Sequence, residues 1–130
     1  MTPTETHKGI VLFAHGSRDP VWHQPINAIA ALIRHDHPDL PVQCAYLELT
    51  TPDLPTACNE LLTASCNHIT IVPLFLGQGR HAREDLPALV EALRLAHPTV
   101  IFTLRPSIGE EPEVLALLAR LASQGHRSAQ

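Results

Sequence analysis

A chain of 130 residues fits one domain built on one hydrophobic core. Its 45% apolar and 17% charged residues are the balance of an ordinary globular protein, and a net charge of −4 with no basic run argues against a nucleic-acid binder. No apolar stretch approaches the ~20 residues needed to span a bilayer, and residues 1–8 are polar and lack the apolar centre of a signal peptide, so the cytoplasm is the expected location.

In chain order, residues 9–14 read GIVLFA, a short run apolar on both sides, as in a strand buried within a parallel sheet. A loop follows, His15-Gly16-Ser17-Arg18-Asp19-Pro20. Pro25 cannot sit well inside a helix, so the first helix is expected to start near it, after an irregular turn. Over residues 24–37 its stripe is Ile26, Ile29, Ala30 and Ile33. Residues 41–49, PVQCAYLEL, predict a second strand that reaches Glu48. Asp53 and Pro55 then open a helix over 53–66 with Leu54, Ala57, Leu61 and Leu62 at helical spacing. Residues 67–76, NHITIVPLFL, predict a third strand, with a local bulge expected at Pro73, where a missing N–H costs a ladder bond. A loop over 77–84 leads to a helix at 85–97, opened by Asp85 and Pro87 and carrying Leu86, Leu89, Val90 and Leu93. TVIFTL at 99–104 is the fourth strand, 105–109 the fourth loop, and 111–121 a last helix with Val114, Leu117, Leu118 and Leu121. Each stripe is expected to pack on the sheet.

The order β-α-β-α-β-α-β-α predicts an α/β fold: a flavodoxin-like three-layer sandwich with a four-stranded parallel sheet and right-handed crossovers. The expected division is a tail at 1–8, one α/β domain at 9–121 and a frayed tail at 122–130. Four strands leave edges that a partner can cover. Cys44, Cys58 and Cys66 are odd in number and form no CxxC, so reduced, partly buried thiols are expected.

Ligands of open α/β sheets bind beyond the carboxyl ends of the strands. The loops expected there hold Arg18, Arg80, Arg83 and Arg105, four of nine basic residues in an acidic protein, which suits an anionic ligand with carboxylates. The plainer alternative is pairing of these arginines with Asp19, Glu84 and Asp85. Two of the nine histidines, His15 and His81, fall in the first and third of these loops. In the strand order 2-1-3-4 their strands are neighbours ~4.8 Å apart, so the two imidazoles can converge on one ion such as Co, Ni, Fe or Zn. Glu48 can add a carboxylate from the second strand. By spacing alone the same two histidines read equally well as solvated bystanders. His35 and His97 fit helix C-termini, and His23, in the irregular turn, is a spare candidate.

Three stretches carry a resemblance: LFAHGSRDP, AYLELTTPDLP and VPLFLGQGRHAREDLP. They resemble the short form of the sirohydrochlorin cobaltochelatase family, with its related iron and nickel chelatases, over about residues 9–121. In that pattern Pro73 belongs to the strand and is no anomaly. The resemblance implies a chelatase-type α/β domain and a homodimer in which two half-size subunits make the bilobal shape of the longer chelatases. It implies that His15 and His81 bind the metal and assist proton removal, with Glu48 at the acidic position after the second strand. No tightly bound cofactor is implied; the divalent metal is a substrate, cobalt first, then iron or nickel. Thr56 departs from the pattern, standing where an acidic residue often follows Leu-Pro, and no histidine-rich tail is present.

Insertion exchanges two pyrrole N–H protons for one divalent cation. Arg18, Arg80, Arg83 and Arg105, with Ser17, would hold the substrate, and Gly77 and Gly79 would let the third loop pass close to the ring. His15 or His81 could also act as base. A carrier using the same cleft is the main alternative. A hydrolase is disfavoured because no GxSxG elbow occurs, and a dinucleotide binder because Gly77-x-Gly79 lacks the third glycine.

Overall fold

The computed structural model describes residues 5–126, so the outer parts of both expected tails lie outside it. Its elements are β1 (Lys8–Ala14), a 3-10 turn (Pro20–His23), α1 (Gln24–Asp36), β2 (Val42–Tyr46), α2 (Leu54–Thr63), β3 (His68–Pro73), α3 (Arg80–Ala96), β4 (Ile101–Leu104), a second 3-10 turn (Ile108–Glu110) and α4 (Pro112–Ala122). The four strands form one parallel sheet in the order β2-β1-β3-β4. That is the α/β order expected from the sequence, with β1 and β3 adjacent.

Alternation along the strands divides the core. Val11 and Phe13 of β1, Ile69 and Ile71 of β3 and Phe102 of β4 join Leu54, Ala57, Cys58 and Leu61 of α2 and Ala82, Leu86, Val90 and Leu93 of α3. On the other side Leu12 and Val42 pack with Ala30 of α1, and Ala14 and Tyr46 with Ile26. Ile29, counted in the α1 stripe, is 38% exposed. α1 and α3 end alike. The His37 N–H donates to the Ile33 carbonyl and the His97 N–H to that of Leu93. Arg34 and Arg94 each donate to a carbonyl eight residues on, Val42 and Phe102, tying each helix to the strand that follows.

Three expectations need correction. Pro73 makes no bulge, because β1 and β3 pair residue for residue up to Phe13 opposite Pro73. The Leu74 N–H reaches the Phe13 carbonyl on the β1 side, so alternation turns Pro73 toward β4. Lacking an N–H there, it ends the β3–β4 ladder, whose last pair is Ile71 with Leu104.

The third helix starts at Arg80 and not near Asp85, which leaves Pro87 inside it. Ala82, Leu86, Val90 and Leu93 form the buried stripe, and burying Ala82 carries the helix a turn further than Asp85 and Pro87 suggest. Pro87 is exposed and removes one helix bond. Pro87→Ala is therefore expected to stabilise the protein by about 1–2 kcal/mol, below the ~3 kcal/mol scale for an ideal interior site, as a rise in the urea midpoint would show. Asp53, by contrast, caps α2 as expected, accepting from the Thr56 N–H at 3.0 Å; these bonds hold its carboxyl below the usual range.

α4 does not pack on the sheet. It contains no buried residue, and Leu115, Leu117, Leu118 and Leu121 are 41–52% exposed. The side of the sheet that α1 covers over β1 and β2 is correspondingly open at β4, where Ile101 is 60% exposed.

Candidate functional site

β1 and β3 end beside each other, and the loops that leave them are stitched to their neighbours. The β1–β2 ladder continues past both strands: Leu47 N–H donates to Ala14 at 2.9 Å and Glu48 N–H to His15 at 3.0 Å. Gly16 sits between at φ +108°, with the Glu48 carbonyl oxygen 1.8 Å from where a Cβ would stand, a place only glycine fits. On the far side, the Ser107 hydroxyl and the Gly109 N–H both donate to the Phe75 carbonyl, at 3.1 and 2.9 Å.

This stitching brings His15 Nε2 to 2.8 Å from Glu48 Oε1, with both side chains about half exposed. A hollow of ≈ 200 Å³ adjoins them, lined by His15, Leu47, Phe75, Gly77, Gly79, Arg80, His81 and Ala82. The structure thus gathers both histidines, the two glycines and Arg80 on one hollow and sets Glu48 against His15. His81 occupies the first turn of α3, where Gly79 is the N-cap, and not a loop. Gly77 and Gly79 have open space where a Cβ would stand, so the chain's own conformation does not demand glycine at either position.

The remaining candidates lie on two flanking depressions. Ser17 and Arg18 line a groove of ≈ 850 Å³ with His23, Asn27 and Thr50. Arg83 and Arg105 line one of ≈ 380 Å³ with Gln78, Pro106 and Ser107. Arg80 pairs with Glu84 at 3.2 Å, as the plainer alternative foresaw, and Arg105 pairs with Glu111 at 3.0 Å. The Arg80 pair is largely exposed and the Arg105 guanidinium about half so; an exposed pair is worth roughly 0–1 kcal/mol, so Arg80 above all can be recruited by a stronger anion. Arg18 and Arg83 form no ion pair among the described residues. Ser17 Oγ accepts from the Asp19 N–H at 3.0 Å and shapes its own loop.

Among the described residues no group of three or more His, Cys, Asp or Glu side chains converges as a ready-made metal cluster. His15 Nε2 is turned onto Glu48 instead. A carboxylate oxygen offers lone pairs, so the contact suits Nε2 as the hydrogen-bearing nitrogen and points Nδ1 away from Glu48. The three thiols are free. Burial pushes Cys58 up to about 12 and raises Cys44 and Cys66, so all three stay protonated and weak as ligands. A hollow of ≈ 600 Å³ lined by His7, Asp36, His37 and Asp39 opens at the opposite end of the sheet and shares no residue with this rim. No helix among the described residues is long and apolar enough to cross a membrane.

Sequence reasoning missed the supports: Thr50, Ser107 and the close approaches at Gly16 and Gly109. They act through backbone carbonyls, which leave no residue-type signature in one sequence.

Fold and rim together define an α/β domain that gathers two histidines, a carboxylate and several arginines at the carboxyl edge of a parallel sheet. The chain belongs to the CbiX family, whose pattern it matches over residues 9–124. It is 35% identical over 82 residues to the sirohydrochlorin cobaltochelatase of Methanothermobacter thermautotrophicus, a match covering 63% of this chain and 57% of that protein. The crystal structure of a CbiX protein from Marinobacter aquaeolei VT8, assigned to cobalamin (vitamin B12) biosynthesis, is similar at 32% identity and a TM-score of 0.76, over 90% of this chain and 95% of that one. SirB from Bacillus subtilis with Fe3+ is similar at 25% identity and a TM-score of 0.74, over 94% of this chain but 49% of SirB. The matched stretch spans about three-fifths of the curated relatives' own length, 57%, 63% and 58% for three of them.

Proposed function

We propose that this protein is a cytoplasmic tetrapyrrole chelatase that inserts a divalent metal, cobalt foremost and iron or nickel next, into sirohydrochlorin. The observation that carries the proposal is the His15–Glu48 contact of 2.8 Å beside a hollow that His81 also lines. Family membership and cobaltochelatase relatives support the same reaction.

In this reading His15 and His81 hold the incoming ion with open coordination positions, as catalytic metal sites require. Glu48 orients the His15 ring and takes protons onward from the two pyrrole N–H groups. Arg18, Arg80, Arg83 and Arg105 anchor the macrocycle's carboxylates, with Ser17, Gly77 and Gly79 against it. Glu48→Gln, which keeps a hydrogen-bond acceptor but loses the charge, is expected to slow insertion about tenfold, and Glu48→Ala up to about 100-fold, in a steady-state assay.

A homodimer completes the arrangement. The hollow is smaller than the roughly 300–1,000 Å³ of a drug-sized ligand pocket, so a flat macrocycle would lie over it and need a second wall. SirB is about twice as long as the part this chain matches. The bare apolar side of α4 and the open sheet beside β4 supply surfaces that a second copy can bury.

The test is absorbance-monitored insertion of cobalt(II) into sirohydrochlorin, repeated with iron(II) and nickel(II). Acceleration over the uncatalysed rate is expected. Binding of the macrocycle without acceleration by any of the three metals would make the protein a carrier instead.

A further inference from the structure

The groove beside Arg18 contains two side chains, Thr50 and His23, to which the proposed reaction gives no role. The Thr50 hydroxyl donates to the Ser17 carbonyl at 2.7 Å and accepts from the Ser17 N–H at 3.1 Å, so one side chain grips both ends of that residue's backbone. His23 Nε2 lies 2.6 Å from the same carbonyl oxygen. A carbonyl oxygen offers only lone pairs, so Nε2 must carry the hydrogen and donate. The ring is held edge-on between Trp22 and Tyr46, with centroids 5.0 Å from each. His23 is therefore committed to the backbone through Nε2 and is not poised as a ligand through that atom.

We propose that Thr50 and His23 are positioning residues for insertion: by clamping the Ser17 peptide they hold the His15 imidazole against Glu48. The proposal rests on the chelatase reading. Two left-handed bends flank the contact that this clamp steadies. Gly16 at φ +108° separates His15 from Ser17, and Leu49 at φ 65° separates Glu48 from Thr50. A non-glycine residue persists there only when its surroundings hold it. The ladder bonds at Leu47 and Glu48 fix the two loops on the strand side of these bends. The Thr50–Ser17–His23 contacts fix them on the outer side, which leaves the His15–Glu48 contact in the middle of a closed stitch.

The test uses the full chain and two readouts. Long-range 15N–1H NMR of the histidine rings is expected to show His23 as the Nε2–H tautomer and to show the His15 nitrogen signals shifted in Thr50→Val, with those of His81 unmoved. In the insertion assay Thr50→Val is expected to lower kcat about tenfold, and Thr50→Ser, which restores the hydroxyl, is expected to recover the wild-type rate. His23→Gln, which keeps an N–H donor, and His23→Phe, which does not, supply a second pair if Thr50→Val fails to fold. A folded Thr50→Val or His23→Phe with unmoved His15 signals and wild-type kcat overturns the proposal, as does a Thr50→Ser that recovers nothing. If the wild type inserts no metal, the chelatase reading fails by itself and the NMR arm alone decides the clamp: moved His15 signals support it and unmoved signals overturn it.

Discussion

His81→Ala is expected to slow cobalt(II) insertion into sirohydrochlorin by on the order of 10²–10³-fold, within the range for losing a positioned acid–base group, with little change in stability. His81 is exposed on the first turn of α3 and makes no side-chain hydrogen bond among the described residues. Alanine is also a better helix former. His15→Ala is expected to cost a similar factor in rate, and in addition it leaves Glu48 without its partner at 2.8 Å. Steady-state rates beside thermal melts separate the two contributions. A His81→Ala protein that inserts metal at the wild-type rate would remove His81 from the reaction.

Gly16→Ala is expected to destabilise the protein by on the order of 3 kcal/mol, through both strain and collision. A Cβ there would lie 1.8 Å from the Glu48 carbonyl oxygen, and the backbone sits at φ +108°. The oxygen is backbone and cannot swing aside, so the loops carrying His15 and Glu48 must separate, and insertion is expected to fall with stability. Gly77→Ala is the matched control: nothing lies within 4 Å of its Cβ position, and its unfolding free energy should stay within about 0.5 kcal/mol of wild type. Urea titration of both variants measures the difference. Equal midpoints would mean that the first and second loops do not meet as closely as described.

The fold was legible because four short runs apolar on both sides alternate with amphipathic stripes, and that alternation permits few topologies. The strand order then puts the ends of β1 and β3 side by side, which is why the neighbourhood of His15 and His81 was also legible. Glu48 was placed near the end of the second strand, and β2 in fact stops at Tyr46, with Glu48 carried on by ladder bonds beyond it. The start of α3 was misread because an Asp-Leu-Pro triplet marks a helix start at Asp53 but lies inside a helix at Asp85; the buried Ala82 decides between them, and a lone alanine is a weak apolar signal. α4 was misread for a different reason. Its leucine stripe is as regular as the others, and periodicity reports that an apolar side exists without reporting what covers it. The clamp on Ser17 was not legible at all, because its acceptor is a carbonyl oxygen that every residue carries.

The most direct measurement is anomalous diffraction at the cobalt edge from crystals grown with cobalt(II). The proposed function predicts a peak in the hollow lined by His15 and His81, within ~2.2 Å of an imidazole nitrogen from each, a distance typical of such bonds. A well-occupied peak elsewhere on the protein, with that hollow empty, would contradict it.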